Sequence, residues 1–298
     1  MADPNIKVKK EATLIEILSL LHPDAKKNSL RRMIDHGRIR ADGVRMNKAN
    51  EKVCPGTVVT ALSKTDGDQK IEKQRFLIPD PEVIYSDDSV IIVDKPPGLL
   101  SVATDRGELD TMYDRTSKWA SENYKTSIHL VHRLDRETSG CLIFATSPEI
   151  RDMLQTQFKN RSIERIYCAI VHGKPSTNSG IETTRIQETR DKRVRLVLGD
   201  KRAGKEAITN WKVEKIGPIH SLIKIKIDTG RRAQIRLHMA NIGCPVLGDT
   251  RYGMGKTSVN RLCLHAKSLT FDHPNGERKY VESPIPSKLL SELSRKSL

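Results

Sequence analysis

The chain has 298 residues, with 52 Lys and Arg against 37 Asp and Glu and a formal net charge of +15. That length suits one large domain or a core domain with a smaller appendage, and 37% hydrophobic with 30% charged residues suits a chain that buries a sizeable core. No apolar run reaches the roughly 18 residues of a membrane span, the first residues lack the apolar stretch of a secretory signal, and five scattered cysteines with no CxxC pair argue against a disulfide framework or thiolate cage and for a reducing cytoplasm.

Residues 1–62 form the first expected module. Thr13-Leu-Ile-Glu16 is a capping-box pattern, followed by Leu14, Ile17, Leu18 and Leu21 at helical spacing. A second short helix is expected with Asn28 or Ser29 as cap, Leu30, Met33 and Ile34 as its apolar stripe and Gly37 as its stop. Strands at 38–41 and 44–46 flank Asp42-Gly43, a dipeptide suited to a tight hairpin because both central residues need positive φ. Pro55-Gly56 then turns the chain into a strand at 58–62. Lys26, Lys27, Arg31, Arg32, Arg38, Arg40 and Arg45 cluster on this module, an arrangement that can track phosphates or remain a solvated face. Residues 1–75 carry 16 basic against 10 acidic side chains, a net of +6, so their charge density is about twice that of the remaining 223 residues.

Residues 63–81 are polar, charged and bounded by proline, and read as a linker. From there to residue 298 the pattern is strand-rich. Strands are expected at 83–85, 90–93, 141–145, 166–171, 209–213 and 222–227, where 222–227 alternates apolar and charged residues. Helices are expected at 109–122, at 148–159 with Ser147 as cap, and at 233–242 before Gly243. Runs of strands with few helices between them predict an α+β fold with a mixed or antiparallel sheet. Arg185–Lys205, with eight basic and three acidic residues around Val194–Leu198, reads as a basic hairpin or a solvated sheet edge. A pI near 9.6 favours a polyanionic partner, and 4% aromatic residues argue against a sheet that stacks successive bases.

The densest chemical constellation is His132-Arg-Leu-Asp-Arg-Glu-Thr-Ser-Gly140. A lone Leu134 between Arg133 and Asp135 puts those two side chains on one side of an extended backbone, and a carboxylate flanked by arginines suits a base or a nucleophile at neutral pH. The bland alternative is a polar loop capped by Thr138 and Ser139. The residues alone leave the substrate open.

This segment resembles the HRLDxxTSG motif of the RluA family of RNA pseudouridine synthases at every defining position. Further segments follow in the family's order: Asp94-Lys-Pro-Pro-Gly98, Arg165-Ile-Tyr167-Cys-Ala, Thr229-Gly-Arg-Arg-Ala-Gln-Ile-Arg236-Leu-His238 with Gly243-Cys-Pro-Val-Leu-Gly-Asp249, and Leu264-His-Ala with Phe271-Asp-His-Pro274. The resemblance covers about residues 80–290, and residues 30–47 of the front module resemble the S4 RNA-binding domain. It implies a pseudouridine synthase fold, an isomerase with no metal and no cofactor, and an RNA partner, expected to be large-subunit ribosomal RNA. It further implies Asp135 as the catalytic carboxylate, Arg236 as its ion-pair partner, Tyr167 as the residue that stacks on uracil and serves acid–base needs at C5, and Arg133 as the side chain that fills the gap when the uridine leaves its stack. Arg231, Arg31, Arg32, Arg38 and Lys27 are the expected RNA contacts, while His132 and His238 are expected to be structural. The family pattern has Lys where Arg165 stands and His where Ala233 stands. A cytoplasmic monomer is expected. The competing readings are a ribosome-assembly factor that binds RNA through a vestigial catalytic domain, a synthase acting on tRNA, and a DNA-binding regulator.

Overall fold

A computed structural model describes residues 3–35, 37–63, 78–104, 108, 110–189, 193–197, 203–254 and 259–295. It divides into two compact units: residues 1–79 with 102–114, and residues 80–101 with 115–298. Residues 64–77 of the expected linker, residue 109 of the expected helix, and residues 190–192 and 198–202 of the expected basic hairpin lie outside the described residues.

The first unit contains β1 (Asn5–Lys7), β2 (Ala12–Thr13), α1 (Leu14–Leu21), α2 (Lys27–Asp35), β3 (Ile39–Ala41), β4 (Val44–Arg45), β5 (Lys52–Val53) and β6 (Val58–Ala61). The Glu16 carboxylate accepts the Thr13 backbone N–H at 2.8 Å and its hydroxyl at 2.6 Å, which fixes where α1 begins. Helix α2 starts at Lys27, ahead of the expected cap, and its Ser29 N–H already bonds the Lys26 carbonyl at 2.8 Å. Asp42 and Gly43 both take positive φ, 46° and 82°, as the two-residue hairpin between β3 and β4 requires. Leu14, Ile17, Leu18, Leu30, Ile34, Ile39, Val53 and Val59 form the core of this unit. Burying those stripes leaves Lys26, Lys27, Arg31, Arg32, Arg40 and Arg45 exposed.

The second unit contains β7 (Glu82–Ser86), β8 (Val90–Lys95), β9 (His129–Leu130), β10 (Ser139–Ala145), α4 (Pro148–Lys159), β11 (Glu164–His172), β12 (Ser179–Glu188), β13 (Val194–Val197), β14 (Lys205–Ile216), β15 (His220–Ile227), α5 (Gln234–Asn241), β16 (Leu264–Asp272), β17 (Arg278–Glu282) and α6 (Ser287–Leu293). Helix α3 (Met112–Tyr124) precedes β9 in the chain. The sheet order is β13-β12-β14-β15-β11-β16-β10-β8-β7, with β17 beside β16 and β9 beside β10. Every pairing is antiparallel except β10 with β16, so the sheet is mixed and the fold is α+β, as the strand-rich pattern predicts.

Several strands outrun or escape the sequence pattern. Strand β14 extends well beyond 209–213, and β12, β16 and β17 have no counterpart among the expected strands. Alternation in β12 is diluted by threonine and charge, and its Ile181 is 68% exposed, so no apolar run announces it.

Two faces of the sheet follow from parity. Cys141, Ile143 and Ala145 of β10 share a core with Val90, Ile92 and Leu154 of α4, while Cys168 and Ile170 of β11 share one with Leu289 and Leu293 of α6. Gly140 and Tyr167 are out of phase with those residues and belong to the opposite face. There the register aligns Lys95, Gly140, Ala266, Tyr167, Ile225 and Trp211 in one row across six strands. Gly140, at φ +110°, is required in that row: an added Cβ would sit 2.2 Å from the Ala266 carbonyl oxygen.

Candidate active site

The His132–Gly140 segment forms the loop that feeds β10, and its backbone is held from two directions. Thr138 N–H bonds the Asp135 carbonyl at 3.1 Å, closing a turn. The buried ammonium of Lys95 donates to the carbonyls of Pro96 (2.8 Å), Leu99 (2.7 Å) and Arg136 (3.0 Å). Gly98 N–H also reaches the Arg136 carbonyl at 2.9 Å, and Arg136 Nε returns a bond to the Gly98 carbonyl at 2.8 Å. Ser101 Oγ donates to the Leu134 carbonyl and accepts its N–H, at 2.9 and 3.0 Å. Burial pulls the Lys95 ammonium down to about 8, opposed by the charges of Glu137, Asp135 and Asp94. Leu134 is buried, Asp135 half-buried and Arg133 exposed, so the expected alternation holds along this loop.

Arg236 sits on the first turn of α5, which packs on the same sheet face through Leu237 against Ala207 and Ile186. Its Nη1 lies 3.9 Å from Asp135 Oδ2. Its main partner is another carboxylate: Nε and Nη2 each bond one oxygen of Asp249 at 2.7 Å, a bidentate pair. Asp249 also accepts the backbone N–H groups of Arg251 and Tyr252, both at 2.9 Å. Burial would raise the Asp249 carboxyl, but Arg236 and those two N–H groups outweigh it and hold it below its ordinary value. Asp135 is thus the second, longer contact of a guanidinium already fixed by Asp249.

Tyr167 is 8% exposed, and burial pushes its phenol up to about 12, with the nearby charges of Arg165 and Asp135 acting in opposite senses. It is a neutral hydroxyl at pH 7. Beside it, Arg165 is also buried and spans the Ile227 and Asp228 carbonyls with Nη2, at 3.3 and 3.2 Å, while its guanidinium lies 5.4 Å over the Phe158 ring. A planar fork can brace that loop and stack on Phe158 together, which a lysine cannot.

Ala233 takes the left-handed conformation, φ 55° and ψ 20°, directly before α5. A left-handed residue is met more readily by Asn, Asp or His than by Ala, so Ala233 carries local backbone strain. The helix start is secured instead by Gln234, 3% exposed. Its Oε1 accepts from Thr229 Oγ1 (2.8 Å) and Arg231 N–H (3.0 Å), and its Nε2 donates to the Ile208 carbonyl and Thr209 Oγ1, both at 2.9 Å. All four hydrogen-bonding positions of that amide are used.

A model of the RNA pseudouridylate synthase family matches residues 89–241, just over half of the chain. The chain belongs to this family. It is 31% identical to "Ribosomal large subunit pseudouridine synthase D" of Pseudomonas aeruginosa over 94% of this chain and 91% of that one. It is 30% identical to an uncharacterised RNA pseudouridine synthase of Bacillus subtilis over 94% and 92% of the two chains. Its fold is also similar to that of "Human RNA Pseudouridylate Synthase Domain Containing 4", with a TM-score of 0.62 at 22% identity over 76% of this chain and 96% of that one.

The synthase brings Asp135, Tyr167 and Arg236 to one sheet face, and the charge of Asp135 acts on the other two. Arg231 and Arg232 have intramolecular partners, the Glu206 carbonyl at 2.9 Å and the Glu188 carboxylate respectively. In the front unit, Arg38 Nε bonds the Leu62 carbonyl at 3.0 Å, while Lys27, Arg31 and Arg32 are exposed. Lys95, Ser101, Gln234 and Asp249 are positioning residues that the sequence reading did not single out, although Lys95, Gln234 and Asp249 lie within its motif segments. Arg261, which donates to Ser139 Oγ at 2.8 Å, had no sequence signal at all. Among the described residues, no three His, Cys, Asp or Glu side chains are placed to hold a metal ion.

Two histidines of the synthase make its stability acid-sensitive. His132 stacks on Phe158 at 4.7 Å and its Nε2 accepts the Ile143 N–H at 3.3 Å; burial, then the charge of Arg165, pulls it down to about 3. His238 Nε2 lies 2.8 Å from Thr184 Oγ1, and burial pulls it down to about 4. Both rings stay neutral in the folded state and protonate in the unfolded chain near pH 6.5. Stability is therefore complete above about pH 6.5 and falls as pH drops, by up to about 2 kcal/mol per histidine at pH 5. Urea unfolding at pH 7.5 and pH 5 measures this, and an unchanged midpoint would rule out neutral, buried rings.

Proposed function

We propose that this synthase isomerises uridines in large-subunit ribosomal RNA, as a cytoplasmic monomer. The observation that carries the reading is the placement of Asp135 within 3.9 Å of an arginine that Asp249 already fixes, on the sheet face that also carries Tyr167. The reaction breaks the N1–C1′ bond and rejoins C1′ to C5, a rearrangement without net oxidation. One carboxylate at the sugar, Asp135, serves it by attacking C1′ or by removing the 2′ proton. A buried, uncharged phenol suits Tyr167 to stack on the uracil; C5 loses a proton as N1 gains one, and acid–base duty at C5 requires the phenol to pass its own proton on as it accepts that one. Arg133, exposed beside Asp135, is placed to fill the gap left by an extruded uridine, whose unstacking costs a few kcal/mol.

The ribosomal assignment is supported by coverage. Relatives named for the ribosomal large subunit align over nearly the whole chain, front unit included. We read that unit, residues 1–62, as an S4-like RNA-binding domain joined by the linker 63–81 to a catalytic domain at 82–298. Helix α2 and the β3–β4 hairpin expose basic side chains suited to phosphates. Incubating the protein with protein-free large-subunit ribosomal RNA and with tRNA, followed by chemical detection of pseudouridine, tests the substrate. Product in the ribosomal RNA is expected, and product confined to tRNA would overturn it. In filter binding to the same ribosomal RNA over a salt series, replacing Lys27, Arg31 and Arg32 together by Gln is expected to flatten the dependence of log K on log salt by up to about 2. An unchanged slope would remove those residues from the RNA contact.

A further inference from the structure

Tyr252 follows Asp249 by three residues and connects two parts of the catalytic unit. The Arg236 guanidinium carbon lies 5.0 Å from the centroid of its ring. Its hydroxyl donates to the Val194 carbonyl of β13 at 3.3 Å, and the ring packs with Leu196 beside Ile186, Val194 and Leu237. Its backbone N–H, meanwhile, bonds the Asp249 oxygen that Arg236 Nη2 also holds. Arg251, exposed, stands 5.7 Å from the same ring. Arg236 is therefore fixed on its edge by Asp249 and backed by an aromatic face that is anchored in the outermost strand of the sheet.

We propose that Tyr252 is a positioning residue for the isomerisation: its π face, held from β13, aims the Arg236 guanidinium so that Nη1 addresses Asp135. The physical ground is that a carboxylate pair fixes a guanidinium within its own plane and leaves it free to tilt about the paired edge. A ring against its flat side removes that tilt, and attraction between the cation and the ring quadrupole supplies the restoring force. The residue shapes the reacting centre without touching RNA, so its loss should appear in the chemical step.

The proposal rests on the reading of Asp135 and Arg236 as the reacting centre. The test substitutes position 252 in the full-length protein with phenylalanine and with phenylalanines carrying increasing numbers of ring fluorines. These keep the ring's shape and packing while withdrawing charge from its face. Single-turnover rate and KM for RNA are measured for each, with Asp135→Asn as reference. Tyr252→Phe should lose about threefold in rate through the missing bond to Val194, and the fluorinated series should fall further, to about tenfold in all, with KM within about twofold. A rate that stays flat along the fluorine series, or a loss that falls on KM, overturns the proposal. Should Asp135→Asn retain activity, the reading of the centre fails instead, so the two failures are distinguishable.

Discussion

Asp135→Asn should lower the rate of pseudouridine formation by about three orders of magnitude or more while leaving the fold and RNA affinity nearly unchanged. The substitution keeps the shape of the side chain and removes its capacity to attack C1′ or to accept the 2′ proton. Stability should move little because the side chain is half-exposed and its closest charged partner, Arg236 Nη1, stands at 3.9 Å, a separation at which an accessible pair contributes at most about 1 kcal/mol. The loop geometry should also survive. It is held by Lys95, Gly98 and Ser101 acting on the backbone of residues 134–136, and none of those bonds uses the Asp135 carboxylate. Single-turnover assays with chemical detection of the product, paired with filter binding and a melting curve, separate the three quantities. A variant that turns over at anything near the parent rate would remove Asp135 from the chemistry. One that melts many degrees lower would show instead that the carboxylate is structural.

Asp249→Ala should be the most destabilising single change at the site, costing about 3–5 kcal/mol, and should also depress turnover. Asp249 is 2% exposed, and it accepts both bonds of the Arg236 fork together with two backbone N–H groups. Its removal leaves a cation that is itself largely shielded from water without its main counter-charge, and two amides without their acceptor. Breaking one side of a buried pair is costly because the partner stays behind. Arg236 would then be free to turn toward Asp135 or toward solvent, so the rate should fall even under conditions where the variant is fully folded. Denaturant unfolding gives the stability change, and turnover measured well below the transition gives the catalytic one. A loss under 1 kcal/mol would mean that Arg236 finds another partner. Full activity in the folded variant would show that the guanidinium is not held by Asp249 for catalysis.

The contrast between these two carboxylates shows how legibility was distributed. Asp135 stands out in sequence because its chemistry is local: nine consecutive residues carry the turn, the flanking charges and the glycine that lets β10 approach β16. Asp249 carries no mark of its role in the sequence, since that role depends on a residue thirteen positions earlier folding back upon it. Gln234 is similar. An amide among basic residues reads as solvated, and only the approach of Ile208 and Thr209 from another strand shows that all its bonds are used. Arg165 and Ala233 stood out only as departures from a family pattern. Their meaning, a fork across two carbonyls and a strained left-handed turn, came from backbone geometry.

By itself, the sequence determined the α+β class, the helices α1, α3 and α4, the strands β8, β10, β11 and β15 and the basic character of the front residues, all of which depend on periodicity, turn chemistry and composition within short windows, while the resemblance of residues 132–140 to a family motif marked Asp135. Tertiary structure alone decided the strand order, in which β10 lies beside β16 and β11 beside β15, and with it the row that sets Tyr167 level with Gly140 and Lys95. It also decided which carboxylate holds Arg236. The physical reason is that propensity and pattern act between neighbours in the chain, whereas pairing across the sheet joins residues more than a hundred positions apart, as Ser139 and His265 are. The net charge of +15 speaks for a polyanionic partner, but only the folded chain separates arginines that hold the protein together, such as Arg165 and Arg236, from those such as Arg31, Arg32 and Arg133 that it leaves exposed.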